Sequence, residues 1–83
     1  MLIMTYVYLI RSINDPNQRY IGHTDNLKER LETHNSGGSI HTMQARPWEL
    51  VAFFGFPNKL TATSFEKYLK TGSRRAFAQK RFW

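Results

Sequence analysis

The chain reads as a small α+β domain: a three-stranded antiparallel sheet flanked by about three helices, in the order strand, strand, helix, strand, helix, helix. Three observations predict it. Two β-branched and aromatic runs near the N-terminus are separated by a strong turn signal. A third aromatic run lies in mid-chain between two prolines. Segments with helical spacing, caps and glycine stops occupy the intervals after the second and third runs.

Residues 4–11, Met4-Thr5-Tyr6-Val7-Tyr8-Leu9-Ile10-Arg11, are apolar on both parities, the pattern of a strand covered on both faces and therefore central. Asn14-Asp15-Pro16-Asn17 is a turn. Residues 18–23 form a second short strand, which makes a hairpin with the first. Thr24-Asp25 offers an N-cap for a helix over Leu27 to Asn35, stopped by Asn35-Ser36-Gly37-Gly38. Leu27 and Leu31 define its buried stripe, and Arg30 and His34 fall on the same stripe at i+3 and i+7 from Leu27. A helix that turns an Arg and a His toward a sheet breaks the binary pattern, and such breaks cluster at functional sites. Residues 39–47 are a loop closed by Pro47, and Trp48 to Phe56 is the third strand, its aromatics expected in the core. A second helix runs from about Lys59 to Thr71 and ends at Gly72; Ser73 caps a third through the C-terminus, with Ala76 and Phe77 turned inward.

Eighty-three residues, 41% of them hydrophobic, support one domain with one modest core. The lack of cysteine excludes disulfide staples, thiolate zinc sites and thiol catalysis. No stretch approaches the ~20 apolar residues of a membrane helix, and Met1 to Ile10 has neither a basic flank nor a cleavage site of the signal-peptide kind. A bacterial-type cytoplasmic protein is the expectation. The net charge of +6 is unevenly placed: residues 59–83 hold Lys59, Lys67, Lys70, Arg74, Arg75, Lys80 and Arg81 against Glu66, while the charges of residues 1–58 cancel. A one-sided basic segment favours a polyanionic partner, most often nucleic acid.

Cleavage of a phosphodiester needs a base for water, a cation for the non-bridging oxygens and stabilisation of the leaving oxygen. Tyr8, Tyr20, Arg30, His34 and Glu66 are the candidates. His23, His34 and His41 lack zinc-site spacing, and a lone carboxylate, Glu66, suits a single hard divalent ion, Mg²⁺ or Mn²⁺, that keeps waters and phosphate oxygens. A structural reading stands beside the functional one for Glu66: Thr63-x-x-Glu66 is a capping-box pattern if the helix begins at Thr63, whereas a start near Lys59 leaves Glu66 mid-helix.

Tyr6-Val7-Tyr8, Tyr20-Ile21-Gly22, the helix segment Arg30-Leu31-Glu32-Thr33-His34, and Glu66 on the next helix together resemble the motifs of the GIY-YIG nuclease superfamily. The segments Tyr20-Ile21-Gly22-His23-Thr24-Asp25, Arg46-Pro47-Trp48-Glu49-Leu50 and Lys67-Tyr68-Leu69-Lys70-Thr71-Gly72-Ser73 are similar to its small stand-alone bacterial proteins, which resemble the nuclease module of the excision-repair incision subunit. The resemblance implies a DNA endonuclease acting on structured or damaged DNA with one divalent ion. Tyr8 and Tyr20 would contact or deprotonate the attacking water, Arg30 would stabilise the charged phosphate, His34 would bond near the nucleophile or share the base role, and Glu66 would bind the metal. His23, Lys67, Lys70, Arg74 and Arg75 would contact DNA, and a larger repair or recombination protein is a possible partner. The first motif begins with Tyr6 rather than Gly, and His23 stands where some repair nucleases carry a Lys. The rival reading is a catalytically weak or inactive nucleic-acid-binding module of the same fold.

Overall fold

The computed structural model of the chain describes residues 3–71 and 79–83. Strand β1 (Thr5–Ser12) is central in a three-stranded sheet of order β2-β1-β3, between β2 (Arg19–Thr24) and β3 (Trp48–Phe56), and both pairings are antiparallel. Helix α1 (Leu27–Ser36) joins β2 to the loop before β3, and helix α2 (Lys59–Lys70) follows β3. Residues 79–81 are helical and supply the final helix of the expected order. Ser73, Ala76 and Phe77, expected at the start and inner face of that helix, lie outside the described residues, as do Arg74 and Arg75. Among the described residues no helix is long and apolar enough to cross a membrane.

The period of two in β1 divides the core. Val7 and Leu9 pack with Ala62 and Leu69 of α2, joined by Ile21, Phe54, Phe56, Phe65, Phe82 and Trp83. Tyr8 and Ile10 face the other way, against Trp48, Tyr20 and the α1 residues Leu27 and Leu31. Apolar residues on both parities are what a strand buried on both faces requires.

A bulge in the β1–β3 ladder decides where Trp48 points. Leu9 pairs with Ala52 but Ile10 pairs with Leu50, so Val51 is the extra residue. Phe54 and Phe56 therefore share the α2 face with Val7, whereas Trp48, opposite Ser12, joins the α1 face. An uninterrupted strand would place Trp48 with Phe54, since one residue of slip exchanges faces. Phe53 is not core as expected: it is 53% exposed, opposite Tyr8 in the ladder, and makes an edge-to-face contact with the Tyr6 ring at 6.0 Å between centroids. The Asn35 side chain completes the entrance to β3. Its Oδ1 accepts from the Trp48 backbone N–H at 2.5 Å and its Nδ2 donates to the Trp48 carbonyl at 3.1 Å.

Helix ends follow capping chemistry, with one correction. The cap of α1 is Asn26, whose side chain accepts from the Glu29 N–H at 3.1 Å, and not Thr24 or Asp25. Those two are engaged locally: Thr24 Oγ1 accepts from the Asn26 N–H and Asp25 accepts from Thr5 Oγ1. Gly37 ends α1 at φ 85°, in the left-handed region where glycine has no steric penalty. Helix α2 begins at Lys59 with Asn58 as cap, its side chain accepting from the Leu60 N–H at 2.8 Å. Glu66 thus lies mid-helix, and Thr63 bonds back to the Leu60 carbonyl instead of capping. Asn58→Ala should then cost about 1 kcal/mol of unfolding free energy, measured by urea denaturation, while Thr63→Ala should change it much less. Equal losses would move the start of the helix to Thr63.

Candidate active site

The register of the hairpin assembles the first half of the site. Tyr8 of β1 is opposite Gly22 of β2, and Tyr20 is two residues along on the same face. Glycine is required here by space: a Cβ at Gly22 would sit 2.6 Å from Tyr8 Oη and 2.9 Å from a ring carbon of Tyr20. The two phenol rings lie 6.3 Å apart between centroids, and the His34 ring packs against both, 5.7 Å from Tyr8 and 5.2 Å from Tyr20.

His34 is the buried residue of α1, 1% exposed, and both its ring nitrogens are used. Nε2 lies 2.8 Å from Tyr8 Oη and Nδ1 2.6 Å from Thr42 Oγ1. Thr42 is itself held, because its carbonyl accepts from Trp48 Nε1 at 2.8 Å. Burial first, and then the nearby Arg30 charge, lower the His34 pKa, so the imidazole is neutral near pH 7. A neutral ring has one donor and one acceptor nitrogen. With the proton on Nδ1, the ring donates to Thr42 and accepts from the Tyr8 hydroxyl, giving a continuous chain from the loop to the phenol.

Tyr8 is pushed up to about 12, mainly by burial and then by Tyr20, with Glu66 adding to the rise and Arg30 opposing it. The Arg30 charge therefore acts on both members of the pair, while the residue as a whole is exposed. The expectation that Arg30 turns inward with His34 needs this refinement: the imidazole is buried and Arg30 lies at the solvent boundary.

The second half comes from the opposite face of the sheet. His23, opposite Val7, faces α2 and places Nδ1 2.5 Å from Glu66 Oε1. Lys70, one turn further along α2, donates to Glu66 Oε2 at 2.7 Å and sits 5.8 Å from the centre of the Tyr20 ring. The two halves meet around the outer edge of β2. Burial raises the Glu66 carboxyl, but hydrogen bonds and charge from Lys70 and His23 outweigh it, and the net pKa falls below the ordinary value. Glu66 is a carboxylate at neutral pH with 15% of its side chain exposed. No group of three His, Asp or Glu side chains able to cage an ion is present among the described residues. One ionised carboxylate fits an ion that keeps most of its water, as hard divalent ions do, and does not fit zinc. Such an ion would share the Glu66 oxygens with Lys70 and His23 or displace one of them.

Tyr8, Tyr20, Arg30, His34 and Glu66 thus converge, and His23 joins them. Lys70, read from sequence as a DNA contact, bonds Glu66, and Lys67 is exposed on α2. Thr42 and Trp48 were not anticipated as site residues. Thr42 is in a loop eight residues beyond His34, and only the fold brings its hydroxyl to the ring.

These features define a class: a small α+β domain presenting phenols, an imidazole, a guanidinium and a carboxylate around one sheet edge. The model of the GIY-YIG catalytic domain matches residues 4–81, and the chain belongs to that family. It is 46% identical over 63 residues to the structure-specific endonuclease subunit SLX1 of Malassezia globosa, and 41% identical over 71 residues to that of Debaryomyces hansenii. Those matches take in 71% and 77% of this chain but only 14% and 20% of the fungal proteins. The solution NMR structure of a UPF0213 protein from Bacillus halodurans is similar at a TM-score of 0.54 and 33% identity, over 93% of this chain and 81% of that one.

The buried imidazole has a consequence for stability. Its folded pKa lies below the ordinary 6.5, so the unfolded chain takes up the proton first. Stability from this group is complete above that value and is lost as pH falls through it toward the lower folded pKa. Tm measured from pH 7 to pH 5 should decline in the wild type, and His34→Gln, which cannot protonate but can bond to both partners, should flatten the decline. An unchanged slope in that variant would assign the titration elsewhere.

Proposed function

We propose that the domain is a DNA endonuclease that hydrolyses phosphodiester bonds in structured DNA, with one divalent ion, Mg²⁺ or Mn²⁺, at Glu66. The observation that carries this reading is the buried Tyr8–His34–Thr42 chain, whose Tyr8 end on the central strand feels the charges of both Arg30 and Glu66. Tyr8 at about 12 makes a poor stored phenolate at neutral pH. As a link in a chain it works differently: the phenol oxygen takes the proton of the attacking water while its own proton passes to His34 Nε2. Thr42 holds the imidazole in the accepting tautomer, and the resulting imidazolium is brief because burial and Arg30 disfavour it. Arg30 offsets charge on the non-bridging phosphate oxygens. Tyr20 packs on the imidazole and lines the place of the water. A bound ion would supply charge stabilisation of the leaving oxygen, and Lys70, displaced from Glu66, would be free to meet a phosphate.

Support for a structured substrate comes from the relatives named as structure-specific endonuclease subunits. The word subunit in those names supports a larger partner protein here also. A DNA substrate supports a cytoplasmic location. The rival reading, a weakly active binding module, is favoured by one feature: both oxygens of Glu66 are already engaged, one by the His23 ring and one by the Lys70 ammonium.

Flapped, nicked and branched DNA, incubated with Mg²⁺ or with EDTA, separates the two. Cleavage should require the ion. Tyr8→Phe should lose at least ~10²-fold in rate, the usual scale of a general base, and Glu66→Gln should abolish cleavage, both with DNA affinity retained. Retained affinity without cleavage by the wild type would establish the binding module. The rate should also fall on acidification below 6.5, because a protonated His34 cannot accept from Tyr8 and its pKa is lowered. A rate that instead climbs steadily above pH 8 would identify a free phenolate as the base.

A further inference from the structure

Beside the site, on the outer side of β2, lies a cavity of about 560 Å³ whose walls include Arg19, Tyr20, Leu69, Lys70, Gln79 and Trp83. Its size is in the range of small-molecule pockets. Two of its walls belong to the site already described: Tyr20 packs on His34, and Lys70 bonds Glu66. The far wall is a planar, cationic surface held in place from three directions. The Arg19 guanidinium donates from Nη1 to Gln79 Oε1 at 2.5 Å and from Nε to the Pro16 carbonyl at 3.4 Å, and its carbon lies 5.4 Å from the centre of the Trp83 ring. Trp83 in turn packs against the core through the cluster that contains Val7 and Leu69. The cavity is therefore a fixed feature with π surfaces, amide groups and two cations at its rim.

We propose that this cavity takes the base of one unpaired nucleotide next to the scissile phosphate. The inference rests on the nuclease reading for the identity of the strand. Its chemistry is local. Guanidinium planes and aromatic rings are the surfaces on which splayed-out bases stack. Arg19 and Lys70 at the rim suit the flanking phosphates. A base stacked inside a duplex cannot enter a pocket without leaving the stack, a cost that a flap or branch point has already met. Stacking reads any base, so the pocket selects strand structure rather than sequence. The shared walls set the order: the strand reaches Tyr20 and Lys70 on leaving the phosphate site, and the next base meets Arg19 and Trp83.

Tryptophan fluorescence tests this directly, since Trp48 is buried at 4% exposure whereas Trp83 is partly exposed at the cavity. The full chain, in EDTA so that no cleavage occurs, is titrated with a short oligodeoxythymidine and, separately, with a fully paired duplex. Saturable quenching by the oligonucleotide is expected. Trp83→Leu should remove it and weaken oligonucleotide binding about 5- to 150-fold, the range of one base stack, with much less effect on the duplex. Arg19→Lys keeps the charge and removes the plane; it should show the same selective loss, and it decides the matter if Trp83→Leu does not fold. Equal losses on both DNAs, or none on either, in the folded variants would overturn the pocket. Quenching by the oligonucleotide, with no cleavage of flapped, nicked or branched DNA by the wild type in Mg²⁺, would keep the pocket and sink the nuclease reading. Cleavage of branched DNA with unaltered affinities in both variants would sink the pocket alone.

Discussion

The structure depends on one polar line through its second core cluster. It starts at the indole N–H of Trp48, passes through the carbonyl and hydroxyl of Thr42, crosses the His34 ring and ends on the Tyr8 hydroxyl. Each of these groups is buried, and an unmet partner would cost about 1–3 kcal/mol. The line therefore couples parts of the chain that local propensity cannot join: the third strand, the loop before it, the first helix and the central strand. Among the described residues no buried side-chain polar atom lacks a partner. The same bonds that make the core uniquely arranged also set the tautomer that the proposed chemistry needs. Stability and site geometry cannot be altered separately here.

The other organising constraint is that the domain is too small to enclose a site. Its sheet has three strands, and the groups with chemistry sit on both faces of it. They meet only because β2 is an edge strand and long side chains reach around it. His23 and Lys70 bring Glu66 to the edge from one side, and Tyr20, flanked by Lys70 and His34, is where the two sides touch. The glycine opposite Tyr8 leaves room for both phenols. An extended substrate such as a DNA strand suits an edge of this kind, where an enclosed pocket would not.

Much of this was legible in the residues. The strand order, the central position of β1 and the starts of both helices follow from local patterns that act over a few residues: period two against period 3.6, turn chemistry and glycine stops. The hairpin and the helix stripe bring Tyr8, Tyr20, Arg30 and His34 together by spacing, whereas Glu66, on the next helix, was singled out by its resemblance to the family's motif. What escaped depends on contacts distant in sequence. The bulge at Val51, which turns Trp48 to the α1 face, leaves no mark in Leu50-Val51-Ala52-Phe53-Phe54, where every residue is apolar. Phe53 was read as core because aromatic density does not say which residues a short helix fails to cover. Thr42 sits in a loop with no periodicity. The cap at Asn26 was missed for a simpler reason: three adjacent residues can all cap, and the choice is made by Thr5, which engages Asp25 from another strand.

Asn35 has a consequence for the life of the molecule in a crowded solution. A strand at the margin of a sheet offers its spare backbone groups to any passing chain, and long exposed margins seed association. At the first residue of β3 the carboxamide of Asn35 occupies both the N–H and the carbonyl of Trp48, as a neighbouring strand would. One side chain thus imitates a further rung of the ladder and closes it at the end nearest the polar line, where peeling of β3 would pull Trp48 from Thr42. Invading backbones are turned away at the place where intrusion would cost the fold most.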